Sequence, residues 1–150
     1  MDDSHELPPK TAPAELAEEL RSFVRHIKRR LREQADVGEL TQSQIAVILR
    51  LESGGPATTS GLARAEGMRP QSMGSIVVAL QSAGMIQGVP DSSDGRQTVL
   101  SLTDACRKRL QEGRAMRQDW LSKTIATKLS SEEREQLASH LKLLMRLVED

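Results

Sequence analysis

The stretch from Thr58 to Leu102, TTSGLARAEGMRPQSMGSIVVALQSAGMIQGVPDSSDGRQTVLSL, decides the fold. Two short helical patterns, Thr58 to Glu66 and Pro70 to Ala83, are joined by the turn Gly67-Met68-Arg69 and run into a hairpin tipped by Asp91-Ser92-Ser93-Asp94-Gly95-Arg96. Proline at the first position of the second helix, where its missing N–H costs nothing, marks where that helix begins. Polar Gln71 and Ser72 follow at once. A helix-turn-helix followed by a wing with an arginine at its tip is an arrangement suited to duplex DNA, with the start of the second helix in the major groove.

Working outward, the second helix presents Met73, Ile76, Val77 and Leu80 on its inner side and closes at Gly84, a natural left-handed C-terminal position. Met85 and Ile86 then anchor the wing. On the return strand Thr98, Leu100 and Leu102 share one face, as a half-buried strand requires. Pro90 on the outgoing strand suits only an edge. Upstream, Thr58 or Thr59 caps the helix that carries Leu62 and Ala63. Thr41-Gln42-Ser43-Gln44 fits a capping box, opening a helix that runs to about Leu51 and is ended by Ser53-Gly54-Gly55-Pro56.

The flanks are helical too. Leu16, Leu20, Phe23, Ile27 and Leu31 form an apolar stripe on a helix ending before Gly38. Thr103 caps a long helix with Leu110, Leu121, Ile125 and Leu129 among its apolar positions. Ser130 to Glu133 is a second capping box before Leu137, Leu141, Leu144 and Val148. The expected fold is mainly α, a winged helix-turn-helix of about six helices plus a β-hairpin wing. A flexible arm, 1–12, precedes a single domain, 13–150, with a DNA-binding unit at about 41–102 and dimerisation helices at about 13–37 and 103–150. The flanking helices either complete the core of a monomer or intertwine two copies. A homodimer is expected, because a two-fold symmetric reader places two recognition helices about one turn of DNA apart.

Composition excludes several classes. Of 150 residues 37% are hydrophobic and 28% charged, ordinary for a globular chain, and Phe23 and Trp120 are its only aromatics, so the core is aliphatic. One cysteine, Cys106, excludes an intrachain disulfide and a CxxC motif, and His5, His26 and His140 lie too far apart to suggest a metal site. No cofactor is expected. No apolar run approaches the ~18 residues that cross a bilayer, and the acidic start carries no signal-like segment, which points to a cytoplasmic protein without a membrane partner. With no nucleophile–base pair, glycine-rich phosphate loop or ligand cluster, an enzyme is not expected.

The chain resembles the multiple antibiotic resistance regulator (MarR) family of winged-helix transcription factors. The likeness rests on Leu40-Thr41 with Gln44, Val47, Leu49 and Leu51, then Leu62-Ala63, Gln71-Ser72-Met73, Leu80, Gly84-Met85-Ile86, Asp91 with Asp94-Gly95-Arg96, and Leu102-Thr103. The resemblance implies a homodimer built from terminal helices that binds a roughly palindromic operator, often as a repressor, and is often released by a small-molecule effector or oxidant. Family members frequently carry basic residues where this chain has Ser75, Ala79 or Gly88. Between Thr41 and Leu102, Arg50, Arg64, Arg69 and Arg96 are balanced by Glu52, Glu66, Asp91 and Asp94. That neutrality is the feature favouring the alternative, a protein-interaction module whose winged helix no longer binds DNA.

Individual roles follow from side-chain chemistry. Gln71 pairs well with adenine and Ser72 donates or accepts on either strand, so these are the candidate base readers, with Arg69 at the mouth of the same helix. Ser75 is a candidate phosphate contact. Gly74, mid-helix, suggests close approach of DNA or of a neighbouring helix. Arg96 is the candidate wing contact, and Asp91, Asp94 and Gly95 form the wing turn, with Asp94 either holding the turn or orienting the guanidinium. Arg25, Lys28, Arg29, Arg30 and Arg32, with a second basic run at Arg107 to Arg117, are either a solvated face paired with acids such as Glu18, Glu33 and Glu112, phosphate contacts, or an anionic-ligand pocket; Arg25 and Arg29 are the candidates for that pocket. Cys106, four residues after Leu102 and four before Leu110, reads as a buried, inert thiol.

Overall fold

A computed structural model describes residues 11–35, 38 and 40–150. The expected arm lies outside the described residues, apart from Thr11 and Ala12. The elements are α1 (Pro13–Gln34), α2 (Gln42–Gly54), β1 (Ala57–Thr58), α3 (Thr59–Ala65), α4 (Pro70–Ser82), β2 (Ile86–Pro90), β3 (Thr98–Leu102), α5 (Asp104–Lys128) and α6 (Ser131–Met145).

Local chemistry sets the helix starts. Pro13 and Pro70 occupy first positions of α1 and α4, and full capping boxes open α2 at Thr41 and α6 at Ser130. The Thr58 hydroxyl accepts from the Gly61 N–H at 3.1 Å, and that of Thr103 from the Cys106 N–H at 3.1 Å. Each such cap contributes ~1 kcal/mol. Left-handed backbone calls for glycine on both sides of α4: Gly67, at φ 62°, makes the turn between α3 and α4, and Gly84, at φ 71°, ends the segment after α4.

The wing is larger than a hairpin. β1 joins β3 on the side opposite β2, giving a three-stranded antiparallel sheet in the order β1-β3-β2, with Ile86 opposite Leu102, Val89 opposite Val99 and Ala57 opposite Leu100. Pro90 therefore sits on an edge strand, as its missing donor demands. A two-residue strand shows no alternation, so β1 carried no signal in the sequence.

The described residues divide into two compact units, one within 38–115 and the other made of 11–35 with 116–150. The first has one aliphatic core. Val47 and Leu51 of α2, Leu62 of α3, Met73, Val77 and Leu80 of α4 and Leu100 of β3 are all buried, and Met85, Ile86, Leu102 and Cys106 pack into the same cluster. Thr103 locks the sheet to the end of α4: its hydroxyl donates to the Gly84 carbonyl at 2.7 Å and its N–H to the Met85 carbonyl at 3.1 Å. Two ion pairs brace the helices. Arg50 of α2 meets Glu66 at 2.5 Å, and Arg114 of α5 binds both carboxylate oxygens of Glu52, the longer bond being 2.9 Å.

The second unit is built differently. Neither α1 nor α6 contains a buried residue. Leu20, Ile27 and Leu31 are half-buried, but Phe23 is 58% exposed and Leu141 50% exposed. An apolar groove of about 720 Å³ runs between Leu16, Leu20 and Phe23 of α1 and Leu144 and Leu147. The Arg30 guanidinium lies 5.5 Å from the centroid of the Trp120 ring. The stripe expected to run to Val148 outlasts its helix, because α6 ends at Met145. No helix among the described residues is long and apolar enough to cross a membrane.

The Glu52–Arg114 contact makes stability depend on pH with a definite sign. Arg114 hydrogen bonds, partly offset by desolvation, lower the Glu52 pKa from its usual 4.5. A depressed native pKa means the contribution is fully present above pH 4.5 and is lost as pH falls through the lowered value. Urea denaturation at stepped pH should therefore show Glu52→Gln less stable than wild type near neutrality, with the gap closing in acid. A gap that does not narrow as the pH is lowered through the acid range would contradict the assignment.

Candidate nucleic-acid interface

Helix α4 has two faces, and the core decides which is which. Met73, Val77 and Leu80 recur at spacings of four and three and are buried, which orients the opposite side outward. That outer row is Gln71, Ser75, Val78 and Ser82, at spacings of four, three and four, with Ser72 and Ala79 on its flank; all six are exposed. The helix contains no charged residue.

Of the residues singled out from the sequence, Gln71 and Ser75 lie in the outer row and Ser72 beside it, all exposed. The Ser75 hydroxyl also reaches the Gln71 carbonyl at 3.4 Å, a long bond that leaves it available. Arg69 is the residue preceding the first turn, is exposed, and makes no side-chain capping bond. An added Cβ at Gly74 meets nothing within 4 Å, so no neighbouring helix requires that glycine and the approach it permits is from outside.

The wing tip is organised by its acids. Asp91 Oδ1 accepts from both the N–H and the hydroxyl of Ser93 at 3.0 Å, and these bonds hold its carboxyl below the usual aspartate range. Asp94 Oδ1 accepts from the Arg96 N–H at 3.1 Å. Asp94 thus holds the turn through the backbone and does not pair with the Arg96 guanidinium, which has no ion-pair partner among the described residues. Gly95 has open space at its Cβ position and no positive φ. At Gly88 the same test meets Thr98 Cγ2 at 2.5 Å and Leu100 Cδ2 at 3.4 Å, so a long side chain there would have to displace the Thr98 methyl.

The near-neutral charge count conceals an uneven distribution. Glu66 is engaged by Arg50, and Glu52 by Arg114 from α5. Arg64, Arg69 and Arg96 remain as exposed cations without an ion pair among the described residues. Arg64 lies in the last turn of α3, where the sequence alone gives it no role. Val78, 62% exposed in the outer row of α4, was not singled out, because a β-branched residue in an apolar helical run resembles core.

The basic residues of the flanking helices are partly spoken for. Glu33 takes Arg30 at 2.9 Å and Arg29 at 3.9 Å, and Glu112 takes Lys108 at 4.0 Å. Arg25 lies one turn before Arg29 on α1, beside a shallow depression with Leu20, Arg21 and Val24. Such exposed pairs are worth little energetically. Cys106 is 1% exposed within the core, and burial pushes its thiol pKa up, opposite to what a reactive thiolate needs.

Known proteins share this arrangement. The MarR family matches residues 40–98. HTH-type transcriptional regulators of Mycobacterium bovis and Mycobacterium tuberculosis are each 31% identical over 137 residues, covering 91% of this chain and 95% of the relative. Among solved structures, a transcriptional regulator protein from Pseudomonas aeruginosa superposes with a TM-score of 0.75 at 34% identity, covering 90% of this chain and 95% of the other. A mutant of Staphylococcus aureus MepR bound to an oligodeoxyribonucleotide shares the fold at a TM-score of 0.71 and 18% identity, covering 89% and 98% of the two chains. With its capped helices, buried α4 face and three-stranded wing matched along nearly its whole length by such regulators, the chain belongs to the MarR family of winged helix-turn-helix transcriptional regulators.

Proposed function

We propose that this protein is a homodimeric, sequence-specific regulator that lays α4 of each protomer in the major groove of a pseudo-palindromic operator and touches the flanking backbone with its wing. The observation that carries this reading is the outer row of α4, exposed, polar at its start and uncharged throughout, in a chain that is 28% charged. In this reading Gln71 and Ser72 contact base edges, Ser75 and Arg69 contact nearby bases or phosphates, and Arg96 contacts phosphate or the minor groove. Repression, and release by a small-molecule effector, follow the family's habit; Arg25 and Arg29 are the candidates for an anionic effector.

Dimerisation is supported by the apolar surface that one chain leaves open, including Phe23, Leu141, Leu143 and Leu147, each at least half exposed. Replacing Leu141 and Leu144 by glutamate should abolish dimers and operator binding together. Light scattering of the wild type at micromolar concentration checks the premise, and a stable monomer there would contradict it. Selection from a random duplex library tests the function itself. An enriched inverted repeat is the expected result; no enrichment of any sequence would favour a protein-interaction module.

Helix and wing should divide the work. If Arg96 neutralises a phosphate, Arg96→Ala weakens all sequences alike and lowers the slope of log affinity against log salt by about one unit per contact. Gln71→Ala should instead cost ~1–3 kcal/mol on the operator and relax preference at one base pair per half-site. Affinities on operator and scrambled duplex at several salt concentrations separate the two. Preference altered by Arg96→Ala and untouched by Gln71→Ala would make the wing the reader, through groove shape.

A further inference from the structure

We infer that Val78 is a specificity-determining residue that reads the C5-methyl group of a thymine in each half-site. The inference rests on the DNA-binding reading above and adds a contact that neither the expected polar readers nor the wing supplies. Val78 is 62% exposed, among the most exposed of the large apolar side chains, and it stands in the outer row of α4 between Ser75 and Ser82. Its neighbours on the chain show that this is not a spare core position: Val77 is buried and Met73 and Leu80 face the same interior.

The occupant follows from the chemistry of that face. A row meant to stay in water would carry charge, and a row meant to meet phosphates would carry lysine or arginine; α4 has neither. A row meant for base edges needs short side chains, so that the backbone approaches closely, together with a group matched to what the groove displays. Gly74, Ser75 and Ala79 are short, and nothing lies within 4 Å of the Cβ position at Gly74. In the major groove the one apolar feature is the thymine methyl, and a branched aliphatic side chain is matched to it. Val78 lies seven residues beyond Gln71, about 10 Å along the helix axis. With α4 lying along the groove, that distance spans at most about three base-pair steps, so the thymine should lie within that range of the base pair read by Gln71.

Removing only the methyl tests the contact. In the operator enriched by the wild-type protein, each thymine is replaced in turn by deoxyuridine, symmetrically in both half-sites, and affinity is measured for wild type and Val78→Ala. One thymine position per half-site should be sensitive in the wild type, losing about fourfold per site, the equivalent of one CH₂ returned to water. Val78→Ala should bind the thymine operator more weakly and be indifferent to deoxyuridine at that position, while retaining the sensitivity of Gln71 to its own base pair. An enriched operator with no sensitive thymine, or one equally sensitive in Val78→Ala, would overturn the assignment and leave the DNA-binding reading standing. Failure of the wild type to enrich any duplex would instead overturn that reading, and the thymine contact with it.

Discussion

Everything the winged-helix unit presents to the outside depends on how α4 is seated. Met73, Val77 and Leu80 are held by Val47, Leu51, Leu62 and Leu100, so the rotation of the helix about its axis is set by an aliphatic core and not by any polar contact. Interiors of this kind are close-packed, and a buried leucine or methionine truncated to alanine typically costs 2–5 kcal/mol. The outward face of α4 is therefore fixed before any partner arrives. Thr103 extends the same constraint to the wing, because its bonds to Gly84 and Met85 tie the strand that ends the sheet to the segment that ends α4. Helix and wing are positioned by one connected piece of structure, which is what two contacts on one duplex require.

The terminal helices pose the complementary problem. A chain that buries Leu62, Met73 and Leu80 almost completely leaves Phe23, Leu141, Leu143, Leu147 and Val148 at half exposure or more. Large exposed apolar surface marks an interaction site in folded proteins. In the proposed reading the occupant is a second copy, since one isologous contact would present both recognition helices to a palindromic operator. The charge distribution fits a reader of modest nonspecific affinity. With Glu52 and Glu66 engaged by arginines, Arg64, Arg69 and Arg96 are the exposed cations that the proposed reading assigns to phosphates, and so few of them would leave much of the discrimination to base contacts.

Much of this was legible in the sequence, for reasons that can be named. Pro70 and Gly84 bracket α4, and the capping boxes at Thr41 and Ser130 announce α2 and α6 before any packing is known. These are local signals, each resolved within four residues. What stayed hidden was either too short or too distant. β1 has two residues and exists only because β3 offers it an edge. The Glu52–Arg114 contact joins residues 62 apart in sequence, and no spacing rule points to it. The side chain of Asp94 suits either the turn or the Arg96 guanidinium, and only the geometry of the turn shows it accepting from the Arg96 backbone N–H. Val78 was concealed by its own chemistry, because periodicity alone does not separate an outward valine from its buried neighbour Val77.

The central claim is that two copies of α4 enter the major groove on one face of a duplex. Footprinting of the complex on its selected operator, with hydroxyl radicals for the backbone and dimethyl sulfate for guanine N7 in the major groove, tests it most directly. The account predicts two major-groove patches related by the inverted repeat and centred about one helical turn apart, or a small multiple of it, each flanked by backbone protection from a wing. A single patch, or protection confined to the backbone with the major groove left accessible, would contradict it.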